Sequence, residues 1–410
     1  MLVYDTRYRS YTIQVVVLLL ALAFLLWLTN NTINNLADRG KDINFGFLWS
    51  RAGYDIDQQL IPYTNDSTHF RALLIGLLNT LAVAVVACLL ATIIGVTVGI
   101  LRLSKNWLVA RLMTVYVEVF RNVPLLLWIL LTFSIFSEVR PVPKDFKVTP
   151  EMVAAGEQPA ALMNLWDSVA VTNRSSNIPA PLLDHPLGTV TIATIPFNLS
   201  LLAALAILGA GIYAHRIFKR NAKAVQEATG ERPVTWWKSL LVLCAPLLIF
   251  LYASGFHLEY PVLKGFNFQG GISIAHSFTA LVIAISIYSA TYIAESVRAG
   301  ILAISKGQSE AAAALGLRPN RTMNLVILPQ ALRVIVPPMI SQYLNITKNT
   351  TLGAAISYLE LKGTLGGITL NQTGRELECM MLVMLIFFVL SMIISSIMNA
   401  YNASVKLKER

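Results

Sequence analysis

Glu310–Pro338 reads EAAAALGLRPNRTMNLVILPQALRVIVPP, a stretch too polar, too basic and too rich in turn residues to cross a membrane, although apolar spans flank it. Its first half predicts a short helix. Ser305 and Gln308 have capping-box spacing, the alanine run has the highest helix propensity available, and Gly316 stands where a left-handed stop is required. Pro319 suits the first turn of a second helix, because the N–H it lacks would be unpaired there. Pro329 is expected to kink that helix, and Pro337 and Pro338 to restart the chain as a membrane span. A helix–glycine–helix knuckle on a membrane protein's face can transmit a push from a partner. An ordinary interhelical loop is the plainer alternative.

Around this stretch, the 410-residue chain is 55% hydrophobic and only 13% charged, with mean hydropathy +0.62. That is the balance of an all-α polytopic membrane protein, in which lipid takes the place of a soluble core. Cys88, Cys244 and Cys379 lie in or beside separate apolar segments without metal spacing, and read as small helix residues rather than disulfides.

A membrane span needs about 20 apolar residues, and the chain offers about eight such segments. Residues 1–70 hold a short basic start (Arg7, Arg9), an apolar run Ile13–Leu28 that reads as an uncleaved anchor rather than a signal peptide, and a polar, acidic loop. Residues 71–138 hold span two (Leu73–Leu101), an interfacial helix (Trp107–Asn122) and span three (Val123–Phe136). Span two carries Gly95-x-x-x-Gly99, which permits close helix approach but is common by chance. Residues 139–195 are a long polar insertion, expected to form an irregular cap outside the membrane. Residues 196–270 add span four (Pro196–Ala214), a basic loop (Arg216, Lys219, Arg220, Lys223, Arg232, Lys238) and span five (Leu240–Ala253). Residues 271–402 hold span six (Ile272–Ile293), the knuckle within 305–338, span seven (Val334–Ile356) and span eight (Cys379–Met398). Residues 403–410 are a basic tail with Lys406, Lys408 and Arg410.

Eight spans put both termini and the knuckle on one side. That side carries 20 Lys/Arg against 7 Asp/Glu, and the opposite side 11 against 15. Lysine and arginine collect on the inner side, so termini and knuckle are expected in the cytoplasm, and the net charge of +10 reflects orientation rather than nucleic-acid binding.

No phosphate-cradling G-x-x-x-x-G-K-[ST] occurs, the only Gly-Lys pair being Gly40–Lys41 before Asp42. No H-E-x-x-H, Cys/His cluster or G-x-S-x-G is present, and His69, His185, His215, His257 and His276 are scattered. Nothing resembles an assembled catalytic set or a metal site. Two charged pairs stand out on the inner side: Glu118 with Arg121, and Glu295 with Arg298, each at helical i, i+3 spacing. Each reads either as a solvated interfacial pair or as a bracing or gating element. In span seven, NITKNTT places Lys348 about 14 residues, hence about 21 Å, into a core about 30 Å thick. A central charge costs about 2.5–3.5 kcal/mol on insertion scales and usually faces a cavity. Snorkelling of Lys348 to the outer surface is the alternative, but it does not require the surrounding Asn345, Thr347, Asn349 and Thr350.

The order E-A-A, glycine four residues after the second alanine, then L-P resembles the signature loop of ATP-binding-cassette importer permeases. Glu310, Ala311, Ala312, Gly316, Leu328 and Pro329 match it, as does Val326 where that family usually has isoleucine. GLLNTL, YVEVFRNVPLLL, YIAESVRAGI and NITKNTTLGAAIS are in turn similar to the polar amino-acid permeases of the His/Glu/Gln/Arg type, over about residues 70–140 and 270–402. The added anchor, insertion and two spans make the plan look like the Q-type permeases of general L-amino-acid importers.

The resemblance implies a type I importer core, with the loop docked on a separate ATPase subunit. It makes Glu118, Arg121, Glu295 and Arg298 candidates for the inner gate or for bracing the loop, and Asn345, Thr347, Lys348 and Asn349 candidates for the translocation path. It also implies a second, M-type permease, two ATPase subunits holding ATP and magnesium, and a binding protein outside, with no cofactor on this chain. Two rivals remain at this point: a secondary transporter, which would need inverted repeats and an acidic residue within a span, and a non-transporting membrane scaffold.

Overall fold

The computed structural model describes residues 6–38, 42–148, 150–155, 157–192, 195–231 and 233–405. The basic tail residues Lys406, Lys408 and Arg410, together with Arg232 and the Gly40–Lys41 pair, lie outside the described residues. In chain order the helices are α1 (Thr6–Asp38), α2 (His69–Leu101), α3 (Trp107–Asn122), α4 (Leu125–Glu138), α5 (Pro150–Ala155), α6 (Leu199–Thr229) and α7 (Trp236–Ala253). After them come α8 (His276–Leu302), α9 (Lys306–Ala314), α10 (Pro319–Thr322), α11 (Leu328–Asn349), α12 (Leu361–Gly363), α13 (Leu370–Thr373) and α14 (Glu376–Val405). Among the described residues, seven helices are long and apolar enough to span a membrane, and α3 with α4, bent by 102°, makes an eighth. The bend falls at Val123–Pro124, where proline drives its predecessor out of the helical region; Val123 has φ −101° and ψ 135°.

Local chemistry sets the helix starts. Thr68 accepts a bond from the Arg71 N–H, Asn106 from Leu108 and Val109, and Asn198 from Ser200 and Leu201, so each short polar side chain satisfies donors of a first turn. The core sits where α2, α4, α8 and α11 meet, around Val83, Ala87, Ile129, Leu281, Ile285 and Ile346. The most extensive helix pair is α2 with α8. A Cβ on Gly95 would lie 2.6 Å from the Ile293 Cβ and 2.9 Å from the Ala290 carbonyl oxygen; one on Gly99 would lie 2.8 Å from the Ala294 oxygen. The small-residue spacing is therefore a packing surface, not a coincidence of composition.

Several boundaries differ from those read in the sequence. Span four does not end at Ala214: α6 runs on to Thr229 and stops at Gly230, whose φ is +77°. Arg216, Lys219, Arg220 and Lys223 thus belong to a helix, with Lys223 3.6 Å from Glu227 one turn on, and not to a loop. Span six starts at His276, because Ile272–Ala275 is a strand.

The insertion is irregular only in part, short strands being set between its turns and loops. Its strands are β1 (Ala170–Val171), β2 (Ser175–Ile178), β3 (Ala180–Leu183), β4 (Thr189–Ile192) and β5 (Ile195–Asn198), joined after α7 by β6 (Phe256–Glu259), β7 (Val262–Lys264), β8 (Asn267–Gln269) and β9 (Ile272–Ala275). All pairings are antiparallel: β2 lies between β1 and β9, β3 pairs with β6, β4 with β5, and β7 with β8. Strands this short cannot be recognised by alternation, and two of the pairings, β2 with β9 and β3 with β6, join segments on either side of α6 and α7.

Pro337 and Pro338 do not restart the chain either. They lie inside α11, and helical structure continues from Pro319 to Ile356 through a π-turn at Met323–Ile327. Missing N–H groups are tolerated in a membrane helix when neighbouring groups re-satisfy the freed carbonyls.

Candidate coupling surface and transport path

The knuckle is closed by a Schellman motif. The Gly316 N–H donates to Ala313 O at 2.9 Å and the Leu317 N–H to Ala312 O at 3.1 Å, while Gly316 takes φ +75°. The turn therefore needs the glycine, as the sequence requires. Pro319 occupies the first turn of α10, also as expected. Ser305, in contrast, makes no capping bond. The Gln308 side chain instead accepts from Gln330 at 3.4 Å, and Gln330 also donates to Val326 O at 3.0 Å. Pro329 cannot donate into the first turn of α11, and the π-turn just ahead of it takes up that irregularity without a break. Gln330 then ties α11 back to α9. Neither glutamine role is visible in the sequence, because it depends on the fold-back at Gly316. Glu310, Ala311, Gly316 and Leu328 are exposed, Pro329 is half-buried, and Ala312 is buried.

Of the two charged pairs only one forms. Glu295 accepts from Arg298 at 3.0 Å and pairs also with Arg102, which is 9% exposed at the end of α2. This carboxylate therefore bridges α2 to α8. Glu118 does not meet Arg121: it accepts a 3.4 Å bond from Asn122, while the Arg121 guanidinium sits 5.1 Å from the centre of the Tyr292 ring. Arg121 is thus still attached to α8, through a cation–π contact. Tyr116 of α3 donates to Ile287 O at 2.7 Å, fixing the same pair of helices.

At the far end of α11, Asn345 and Lys348 are exposed and Asn349 is half-buried; none of the three side chains takes a partner within the described chain. Thr347 does not share their face. It is 1% exposed, and its hydroxyl donates to Tyr343 O at 2.9 Å. A helix places residues three and four apart together, and 347 is not in register with 345, 348 and 349.

Beyond α11 the chain folds into an elbow gripped by the GLLNT segment of α2. The Asn79 amide donates to Leu359 O and Gln58 O, both at 2.9 Å, and the Leu361 N–H donates to the Thr80 hydroxyl at 3.1 Å. Gly76 leaves room for Thr364: a Cβ there would lie 2.2 Å from its hydroxyl oxygen. Glu360, fully buried, caps α12 by accepting from Lys362 at 2.9 Å and Gly363 at 2.8 Å. Burial pushes its carboxyl up to about 7. The sequence offers one retrospective signal for this clamp, an Asn-Thr pair inside an otherwise apolar helix.

The model of the family described as binding-protein-dependent transport system inner membrane component matches residues 233–405, from just before α7 to the end of α14. Over 411 residues the chain is 65% identical to the glutamate/glutamine/aspartate/asparagine transport system permease protein BztB of Rhodobacter capsulatus, covering 100% of this chain and 96% of that protein. It is 42% identical over 410 residues to the general L-amino acid transport system permease protein AapQ of Rhizobium johnstonii, covering 99% and 94%. Among solved structures, an amino acid ABC transporter crystallised with histidines is 17% identical, with a TM-score of 0.44 over 82% of this chain and 95% of that one. Near-complete coverage at such identity, together with the multi-pass helical architecture, leads to one conclusion: the chain belongs to the amino-acid ABC transporter permeases, multi-pass proteins of the inner membrane.

Proposed function

We propose that this permease subunit moves acidic and amide amino acids inward by alternating access, driven by separate ATPase subunits that bind ATP and magnesium and press on α9. The observation that carries the reading is mechanical continuity. Exposed Glu310 and Ala311 sit on a short helix closed by Gly316 and tied through Gln308 and Gln330 to α11. Helical structure then runs without interruption to Asn345, Lys348 and Asn349. A push on α9 is thereby delivered to a polar face in the membrane. The Glu295 bridge from α8 to Arg102 and the Arg121–Tyr292 contact brace the same end, where a gate would be required.

The name of the Rhodobacter relative supports glutamate, glutamine, aspartate and asparagine as the cargo class, while that of the Rhizobium relative supports L-amino acids more broadly. A second permease protein of that Rhodobacter system, BztC, is 34% identical over 146 residues and supports pairing with a second, M-type permease. A substrate-binding protein would deliver from outside, opposite the cytoplasmic termini. The test is Gly316→Pro. Proline cannot reach φ +75°, so the α9–α10 turn must rearrange while the spans insert. We expect membrane-inserted, assembled complex that has lost uptake and transport-stimulated ATP hydrolysis. Normal uptake by that variant would remove the knuckle as the transmitting element.

A further inference from the structure

The outer cap holds a cleft of about 210 Å³ where the 172–177 segment meets β8 and β9. We propose that it binds a free amino acid by its carboxylate, upstream of the membrane path; this rests on the reading of the chain as an amino-acid importer subunit. The argument begins with the donors. The Arg174 guanidinium gives one bond, at 3.0 Å, to the Asn267 side-chain oxygen, which leaves the rest of its fork and turns the Asn267 amide N–H groups away. The Ser273 hydroxyl has no partner within the described chain. No carboxylate lines the cleft, and its one charge is the Arg174 guanidinium, on an exposed side chain, a composition that suits an anion and not a cation.

The site is also built rather than loose. The Thr172 hydroxyl accepts from the Arg174 and Ser175 N–H groups, both at 3.2 Å, and sets the turn that presents Arg174. Asn177, 3% exposed, anchors the floor. Phe268 supplies an apolar wall and is held edge-on by Phe146, with ring centroids 5.4 Å apart. A carboxylate donor set beside an aromatic wall fits a small organic acid better than inorganic phosphate. Most of the cleft, all but Ser273 on β9, lies outside the two stretches similar to the shorter permeases, and β9 leads directly into α8, whose first residue His276 bonds to Thr172 O. An occupant would thus sit against the outer end of the helix that packs on α2.

The experiment is a saturation-transfer NMR titration of L-glutamate onto the full chain in lipid nanodiscs, without ATPase or binding protein. Saturable binding is expected. Arg174→Gln should weaken it roughly tenfold to a hundredfold, the scale of a hydrogen bond to a charged group. Asn267→Asp should weaken it further by placing a carboxylate against the ligand, and Lys264→Gln, a charge change on neighbouring β7, should leave it unchanged. Equal melting temperatures would show that the variants fold. Absent binding, an Arg174→Gln affinity equal to that of the parent chain, or displacement by inorganic phosphate as effective as by L-aspartate would overturn the proposal. Because the assay involves no transport, loss of the importer reading would appear separately, as absent uptake by the assembled complex.

Discussion

At the C-terminal end of α11, Lys348 projects from an exposed face beside Asn345 with no carboxylate partner in the described chain. Lipid penalises such a face, and a cation with two amides can meet both the carboxylate and the polar groups of an amino acid. Lys348→Met keeps the length and removes the charge. The variant should insert and assemble, yet change the ratio of acidic, neutral and basic amino-acid uptake, each normalised to assembled complex. An unchanged ratio would exclude Lys348 from the selectivity path. The face was legible because helical periodicity needs only residue numbers: Asn345, Lys348 and Asn349 share it by spacing alone. Thr347 belongs to the same polar run in sequence but lies buried, because threonine in a helix can satisfy its hydroxyl on the preceding turn, here on Tyr343. Ser305 failed for a related reason: spacing permits a capping box, but Gln308 has a competing partner in Gln330 that only the folded knuckle supplies.

The pairing of α2 with α8 decides how far two helices of mean apolar character can approach. Gly95 and Gly99 let the backbones close, with the α8 carbonyls of Ala290 and Ala294 directly opposite. A methyl at Gly95 must displace backbone and the stiff Ile293 side chain, and overpacking of this kind costs about 1–3 kcal/mol. Gly95→Ala should therefore lower the stability of the purified chain by that amount in a detergent-denaturation titration. Gly209→Ala in α6, where a new Cβ meets nothing within 4 Å, should not. Equal stabilities would mean that the helices do not touch at Gly95. Helix existence was readable from apolar runs, and the α3–α4 break from Asn122-Val123-Pro124. Proline was the less reliable guide. Pro124 ends a helix, yet Pro337 and Pro338 pass through one, so a proline in a membrane protein does not by itself decide between a break and a continued helix.

For the whole molecule, charge bias and element order have to agree with a single crossing pattern. The helices α6 and α7 pack on each other while the strands at their outer ends pair across them, β2 with β9 and β3 with β6. These pairings require residues 170–183 and 256–275 to share one side of the membrane, a constraint independent of charge. The basic face Arg216, Lys219, Arg220 and Lys223 on the extension of α6 then lies at the opposite end of the pair, with the knuckle, where lysine and arginine predominate. The cap is not readable from sequence, since strands of two to four residues carry no periodicity and the register of β2 and β3 is set by partners beyond two spans. The arrangement predicts opposite labelling. In a cysteine-free background, Leu162→Cys in the cap should react with a membrane-impermeant maleimide added to intact spheroplasts. Lys223→Cys on α6 should react only after the membrane is opened. Reaction of both residues from outside would break the eight-span topology and, with it, the assignment of the α9 knuckle to the ATPase side.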